Sequence, residues 1–205
     1  MGCIDRTLSP PARVSAARPD GRPAESEGRA EAVSRRGDPL LSSPVATDPP
    51  GDLLLTPLKG DARTLEQWLT VFHLLSVVVD PYTNESSWVL DVAARIMREF
   101  RGAAVRVNWI VAGDADDARA FLGPLASEFL TFADPDRAVV KALGLERLPA
   151  LVFILMDGSV AAVTEGWDPL EWRKATEVVA NAVKWSRPAI PEPGDPVAFQ
   201  GTPAL

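Results

Sequence analysis

FADPDRAVVKALGLERLPALVFILMDGSV, Phe132 to Val160, holds a helix, a strand and a hairpin in one stretch. Asp134-Pro135-Asp136 places acids where a helix begins, the end at which the helix dipole favours negative charge. Val139, Val140 and Leu143 follow at helical spacing, and Gly144 ends the helix. Pro149 stands at the mouth of a strongly apolar run, Ala150 to Met156, which reads as a strand. Asp157-Gly158 is a two-residue hairpin signal, so Ser159 to Thr164 returns antiparallel.

Beyond the hairpin, Asp168 and Pro169 start a last helix, with Trp172, Val179, Ala182 and Val183 turned inward. Upstream, His73 to Asp80 is a continuous apolar run rich in β-branched residues, which suits a strand covered on both faces and ended by Pro81. Val89, Val92, Ala93, Ile96, Met97 and Phe100 lie at helical spacing, with Gly102 as the stop. Ala104 to Val111 alternates as a second strand, Asp114 to Ala126 reads as a helix, and Phe129 to Phe132 as a short strand. Arg63 to Leu69 reads as a short helix, with Thr64 as its N-cap and Gln67 completing a capping-box pattern. A parallel start closed by a hairpin and a helix predicts an α/β three-layer sandwich around a mixed central sheet. Trp109 is expected in the core, and Trp68, Trp167, Trp172 and Trp185 at the outer rim.

The Asp-Pro-Asp turn, the helix ending in Gly, the proline before a strand and the Asp-Gly hairpin resemble the thioredoxin-like superfamily. The extra helix and strand between Asp114 and Phe132 make the chain most similar to the redoxin branch that includes peroxiredoxins and membrane-tethered disulfide reductases. The resemblance covers roughly the central 120 residues, a span in keeping with an ordinary single domain. It implies that the Leu148–Pro149 bond is cis and leaves a backbone edge beside the active site. It also places the family's CxxC at Ser86-Ser87-Trp88-Val89, so that Ser86 stands for the attacking cysteine and Val89 for the resolving one. Thr83-Asn84-Glu85-Ser86 matches the Thr-x-x-Cys of peroxiredoxins with serine in place of cysteine. The only cysteine of the chain is Cys3. Because the thiolate is the nucleophile of thiol–disulfide exchange, the expected domain is redox-inactive.

No other catalytic constellation replaces the missing thiol. A serine nucleophile needs a base, and the only histidine, His73, opens the strand that Ser86 follows, roughly 23 Å away at the standard rise. Ser86 is expected to cap a helix instead. His73 has no Cys or His companion for a metal, and Asp114, Asp116 and Asp117 lack the turn Gly and closing Glu of a calcium loop. No cofactor is implied. The remaining constellation is Tyr82, Thr83, Ser86, Trp88, Arg147, Leu148 and Pro149, an aromatic-rimmed patch suited to an extended peptide or a small anion. The leading reading is a protein-binding or accessory module with an unidentified protein or peptide partner. The alternatives are a redoxin-type thiol–disulfide oxidoreductase relative that draws on a partner's cysteine, and a binder of small anionic ligands using Arg147.

Composition sets the outer limits. Of 19 prolines, eight precede Asp52 and five follow Arg187, so residues 1–51 and 188–205 read as a disordered leader and tail around a domain at 52–187. The net charge of −7 argues against nucleic acid or an anionic membrane as the main partner. Leu74 to Val79, the longest apolar run, is far too short to span a bilayer. Met1-Gly2-Cys3 resembles an acylation start, but Arg6 stands where the pattern wants Ser or Thr. The leader lacks the apolar segment of a secretory signal, and a single cysteine suits a reducing compartment, so the cytoplasm is the expected location.

Overall fold

The structure, a computed structural model, describes residues 46–205, which belong to one compact unit. Its centre is β3 (His73–Val79), the apolar run whose residues after His73 are all buried. On one side β3 pairs parallel with β4 (Val105–Val111), and β4 pairs parallel with β5 (Leu130–Ala133). On the other side β3 pairs antiparallel with β7 (Ala150–Ile154), which turns through Asp157-Gly158 into β8 (Val160–Glu165). Gly158 sits at φ 89°, the left-handed region that glycine enters without a Cβ clash. The sheet is mixed, as expected, with helices on both faces.

The sheet extends further than the sequence reading allows. A hairpin of β1 (Leu54–Pro57) and β2 (Arg63–Thr64) pairs antiparallel with β5, giving seven strands in the order β2-β1-β5-β4-β3-β7-β8. β1 alternates between exposed and buried residues, but its sequence Leu-Leu-Thr-Pro puts an apolar residue on the exposed face at Leu54, and β2 is two residues long, so neither shows an apolar–polar alternation to read.

Two apolar layers sandwich the sheet. One face is covered by α3 (Leu90–Phe100), α4 (Ala115–Leu122) and α7 (Pro169–Val183), which bury Val92, Ile96, Met97, Phe100, Leu122 and Val179 against Val77, Trp109 and Phe153. The other is covered by α1 (Leu65–Leu69) and α6 (Ala138–Ala142), whose Leu65, Leu69, Val139 and Val140 pack on Leu74, Val78, Ile110 and Val152. Local chemistry fixes where these helices start. Thr64 and Gln67 form the reciprocal capping box of α1. Asp134 accepts the Val139 and Val140 N–H groups ahead of α6, and Asp168 accepts Leu170 and Glu171 N–H at α7. Trp167 and Trp172 are fully buried and meet edge to face at 5.0 Å, so they belong to the core rather than to the rim.

Both expected tails need correction. Residues 46–51 pack on the domain: Thr47 N–H donates to Leu143 O at 3.1 Å, Asp48 accepts Val160 N–H at 2.7 Å, and Pro49 is buried. Residues 1–45 of the expected leader, with Cys3 and the acylation-like start, lie outside the described residues. The stretch 188–205 is a strap rather than a disordered tail. Pro188, Ile190 and Ala204 are buried, Arg95 binds Ala189 O, Glu192 and Asp195, and β9 (Thr202–Pro203) pairs with β6 (Arg147–Leu148). Proline content suggested disorder, but the strap is held by backbone pairing and ion pairs that need no apolar periodicity.

Candidate functional site

Two loops meet at the C-terminal end of β3. The first runs from Asp80 through Pro81 into α2 (Asn84–Trp88), a short helix that Val89 separates from α3. Thr83 is the N-cap, without a side-chain cap bond, so Ser86 lies inside the helix rather than capping it. Its side chain turns inward: Ser86 is fully buried, and its Oγ accepts Asp80 N–H at 2.9 Å and the Thr83 hydroxyl at 3.1 Å. That hydroxyl therefore ties the loop to the strand end. His73 stands at the far end of β3, its Nδ1 accepting Met156 N–H at 3.1 Å.

Asp80 is the buried anchor of this corner. It is 3% exposed; Oδ1 accepts Tyr82 N–H at 2.9 Å and Oδ2 accepts the Arg137 guanidinium at 2.7 Å. Arg137 reaches it from φ 53°, the left-handed position just ahead of α6. Its other nitrogen donates to Ala204 O at 2.6 Å, so one guanidinium links the end of β3 to the strap.

The second loop carries Arg147, Leu148 and Pro149, and the Leu148–Pro149 bond is cis. Leu148 and Pro149 are buried. Glu165 secures the loop by accepting Glu146 N–H at 2.9 Å and Arg147 N–H at 3.1 Å. Burial raises the Glu165 pKa, and these two donors only partly oppose it.

The strap lies along this loop. Arg147 pairs with Pro203 and Leu148 with Thr202 in antiparallel register, Ala204 N–H donates to Glu146 O at 2.8 Å, and Arg147 donates to Gly201 O at 3.2 Å. Phe199 exchanges backbone bonds with Trp167, both at 2.8 Å, and meets Trp88 edge to face at 5.2 Å. Two glycines make the crossing possible. A Cβ on Gly201, at φ +75°, would lie 2.4 Å from Leu148 O, and one on Gly166, at φ +66°, would lie 2.5 Å from Phe199 O. Side chains there would push the strands apart.

The expected patch thus divides. Trp88, Arg147 and Leu148 all touch the strap, and Pro149 is buried within the second loop. Thr83 and Ser86 belong to the Asp80 network. Tyr82 is exposed and donates to Asp117 at 2.5 Å, a bond that raises its pKa because the phenol proton is held by the carboxylate. Asp114 caps α4 through Asp116 and Asp117 N–H, which hold its carboxyl below the usual range. The three acids are thus engaged locally, and among the described residues no group of three or more His, Cys, Asp or Glu is placed to hold a metal. Arg137, Gly166, Phe199 and Gly201 were not anticipated. Gly166 and Gly201, each next to a backbone it must approach, were the available signal.

No protein-family model matches the sequence, and a search of curated proteins finds no match. Solved structures do resemble it. DsbF of Mycobacterium tuberculosis aligns with TM-score 0.53 and 17% identity over 63% of this chain and 95% of its own. A proposed thiol:disulfide interchange protein DsbE of Chlorobium tepidum gives 0.56 and 17% over 67% and 97%. Peroxiredoxin Q of Xanthomonas campestris gives 0.52 and 17% over 67% and 95%. At this identity the likeness is one of fold: the chain has the thioredoxin-like α/β architecture of redoxins, as the resemblance implied. No helix among the described residues is long and apolar enough to cross a membrane.

Proposed function

We propose that the domain is a redox-inactive, thioredoxin-like protein-binding module that takes an extended peptide segment along the Arg147–Pro149 edge, with Trp88 as its aromatic anchor. One observation carries this reading: the edge already pairs strand to strand with an extended segment, β9, while Trp88 meets the upstream Phe199 edge to face. Strand addition at a sheet edge draws affinity from main-chain bonds and specificity from side-chain pockets. Ser86 supports the absence of redox chemistry, since a buried hydroxyl engaged by Asp80 and Thr83 offers no thiolate and no exposed nucleophile. The single cysteine, Cys3, supports the cytoplasm as the compartment.

A second reading draws on the redoxin neighbours: a thiol–disulfide oxidoreductase relative completed by a partner's cysteine. The small-anion reading would rest on the charge of Arg147, which is exposed and gives one nitrogen to Gly201 O.

The test is selection of peptides from a random display library on the full-length chain. Binding of selected peptides should fall by more than about 1 kcal/mol in Trp88→Ala and in Arg147→Ala. His73→Ala, at the opposite end of β3, should leave it unchanged. Equal tolerance of all three substitutions would remove the site from this edge.

A further inference from the structure

The strap that covers the site has the form of a ligand. It is extended, it forms the antiparallel pairing that an incoming strand would form, and it supplies one aromatic side chain to Trp88. It is also tethered like a separable element. Four prolines and Gly194 lie between α7 and Val197, and Val197 itself is 89% exposed. Its last contacts are at Ala204, whose N–H donates to Glu146 O and whose carbonyl accepts Arg137. Three positions set its chemistry. Phe199 fills the space against Trp88, Gly201 is required by the approach to Leu148 O, and Ala204 is wholly buried. Gln200 and Pro203, between them, are exposed.

The geometry points to residues 197–205 as a built-in competitive occupant of the peptide edge, and to a partner segment of the pattern aromatic-x-Gly-x-x-Ala that replaces it strand for strand. This inference rests on the peptide-binding reading above and adds both the partner's chemistry and the state in which it is admitted. Wild-type protein holds its own strap and resists entry. A partner gains access by exchange, in which it takes over the Leu148 and Glu146 pairings and the Trp88 contact as the strap leaves.

The test uses full-length protein and a labelled peptide of sequence VAFQGTPAL, residues 197–205. Gly201→Val in the protein drives a side chain into Leu148 O and should release the strap. Faster hydrogen exchange at Thr202 and Ala204 reports the release. The peptide should then bind the variant at least tenfold more tightly than wild type, and the same peptide with valine at its glycine should bind neither. Phe199→Ala is the second variant, which weakens the strap without altering the groove, and should shift affinity in the same direction. Equal affinity for wild type and both variants would overturn the competitive strap while leaving peptide binding intact. A released strap with no peptide binding to any form would overturn the inference and the binding site together.

Discussion

Removing Arg137 tests whether one guanidinium holds both the end of β3 and the strap. Asp80 is 3% exposed and its Oδ2 lies 2.7 Å from Arg137, whose own side chain is 24% exposed. Breaking a fully buried pair from one side costs about 3–5 kcal/mol, because the other charge is left uncompensated. The remaining Tyr82 N–H bond and the partial exposure of Arg137 reduce this to about 2–3 kcal/mol, and loss of the bond to Ala204 O adds about 1 kcal/mol. Arg137→Ala should therefore destabilise the domain by about 3–4 kcal/mol, or roughly 6–16 °C in Tm for a domain of this length. Arg137→Gly should cost about 1 kcal/mol less, since glycine relieves the left-handed φ of 53°. Urea denaturation gives the free energies, and hydrogen exchange at Ala204 reads the strap separately. Adding Asp80→Asn removes the orphaned charge while keeping an acceptor for Tyr82 N–H. The double variant should recover more than about 1 kcal/mol relative to simple addition of the two single effects. An Arg137→Ala protein within about 0.5 kcal/mol of wild type, or strictly additive effects, would refute the linked anchor.

Other outcomes follow from the same contacts. A chain beginning at Asp52 should be about 2 kcal/mol less stable in urea than one beginning at Ala46, because it loses the Thr47 and Asp48 hydrogen bonds and buried Pro49; equal midpoints would mean that residues 46–51 contribute nothing. Insulin reduction and peroxide consumption with a thiol donor should match buffer blanks, and activity that survives Cys3→Ser would overturn the redox-inactive reading. Two carboxyls should tilt the pH dependence of stability in opposite directions. Burial raises the Glu165 pKa, so its contribution is full below the unfolded-chain pKa and is lost as pH rises through the folded value; Glu165→Gln should lack that gain toward acid. Backbone donors lower the Asp114 pKa, so its contribution is full above the unfolded value and is lost as pH falls through the folded one; the deficit of Asp114→Ala at neutral pH should shrink in acid. Denaturation midpoints across pH 3–8, about the range in which carboxyls titrate, read both.

The elements legible in the sequence are those whose cause is local. The capping pair Thr64 and Gln67, the acids ahead of α6 and α7, the Asp-Gly turn and the spacing of α3 all act within a few residues, and each stands where its chemistry puts it. The β1–β2 hairpin was not legible. Its strands are short, and their place is set by pairing with β5 some 75 residues away, an interaction of the kind that leaves no local period. Trp167 was assigned to the rim because nothing near it in sequence shows that Phe199 and Trp172 close over it.

The contacts of the expected patch residues could not be read from the sequence. Trp88 meets Phe199, and Arg147 and Leu148 pair with Pro203 and Thr202, so each touches the strap. Residues 188–205 are rich in proline, a composition that predicts disorder when a segment is weighed alone. Weighed against the domain, the same segment satisfies backbone groups that β6 would otherwise expose. The cost of ordering it is lowered by its prolines, which restrict the free chain before it docks. Arg95 anchors the first part of this segment, while residues 197–205 are held by the bonds to Trp167, one short pairing, one aromatic contact and two arginines, so that part is one that an incoming strand of similar chemistry can displace.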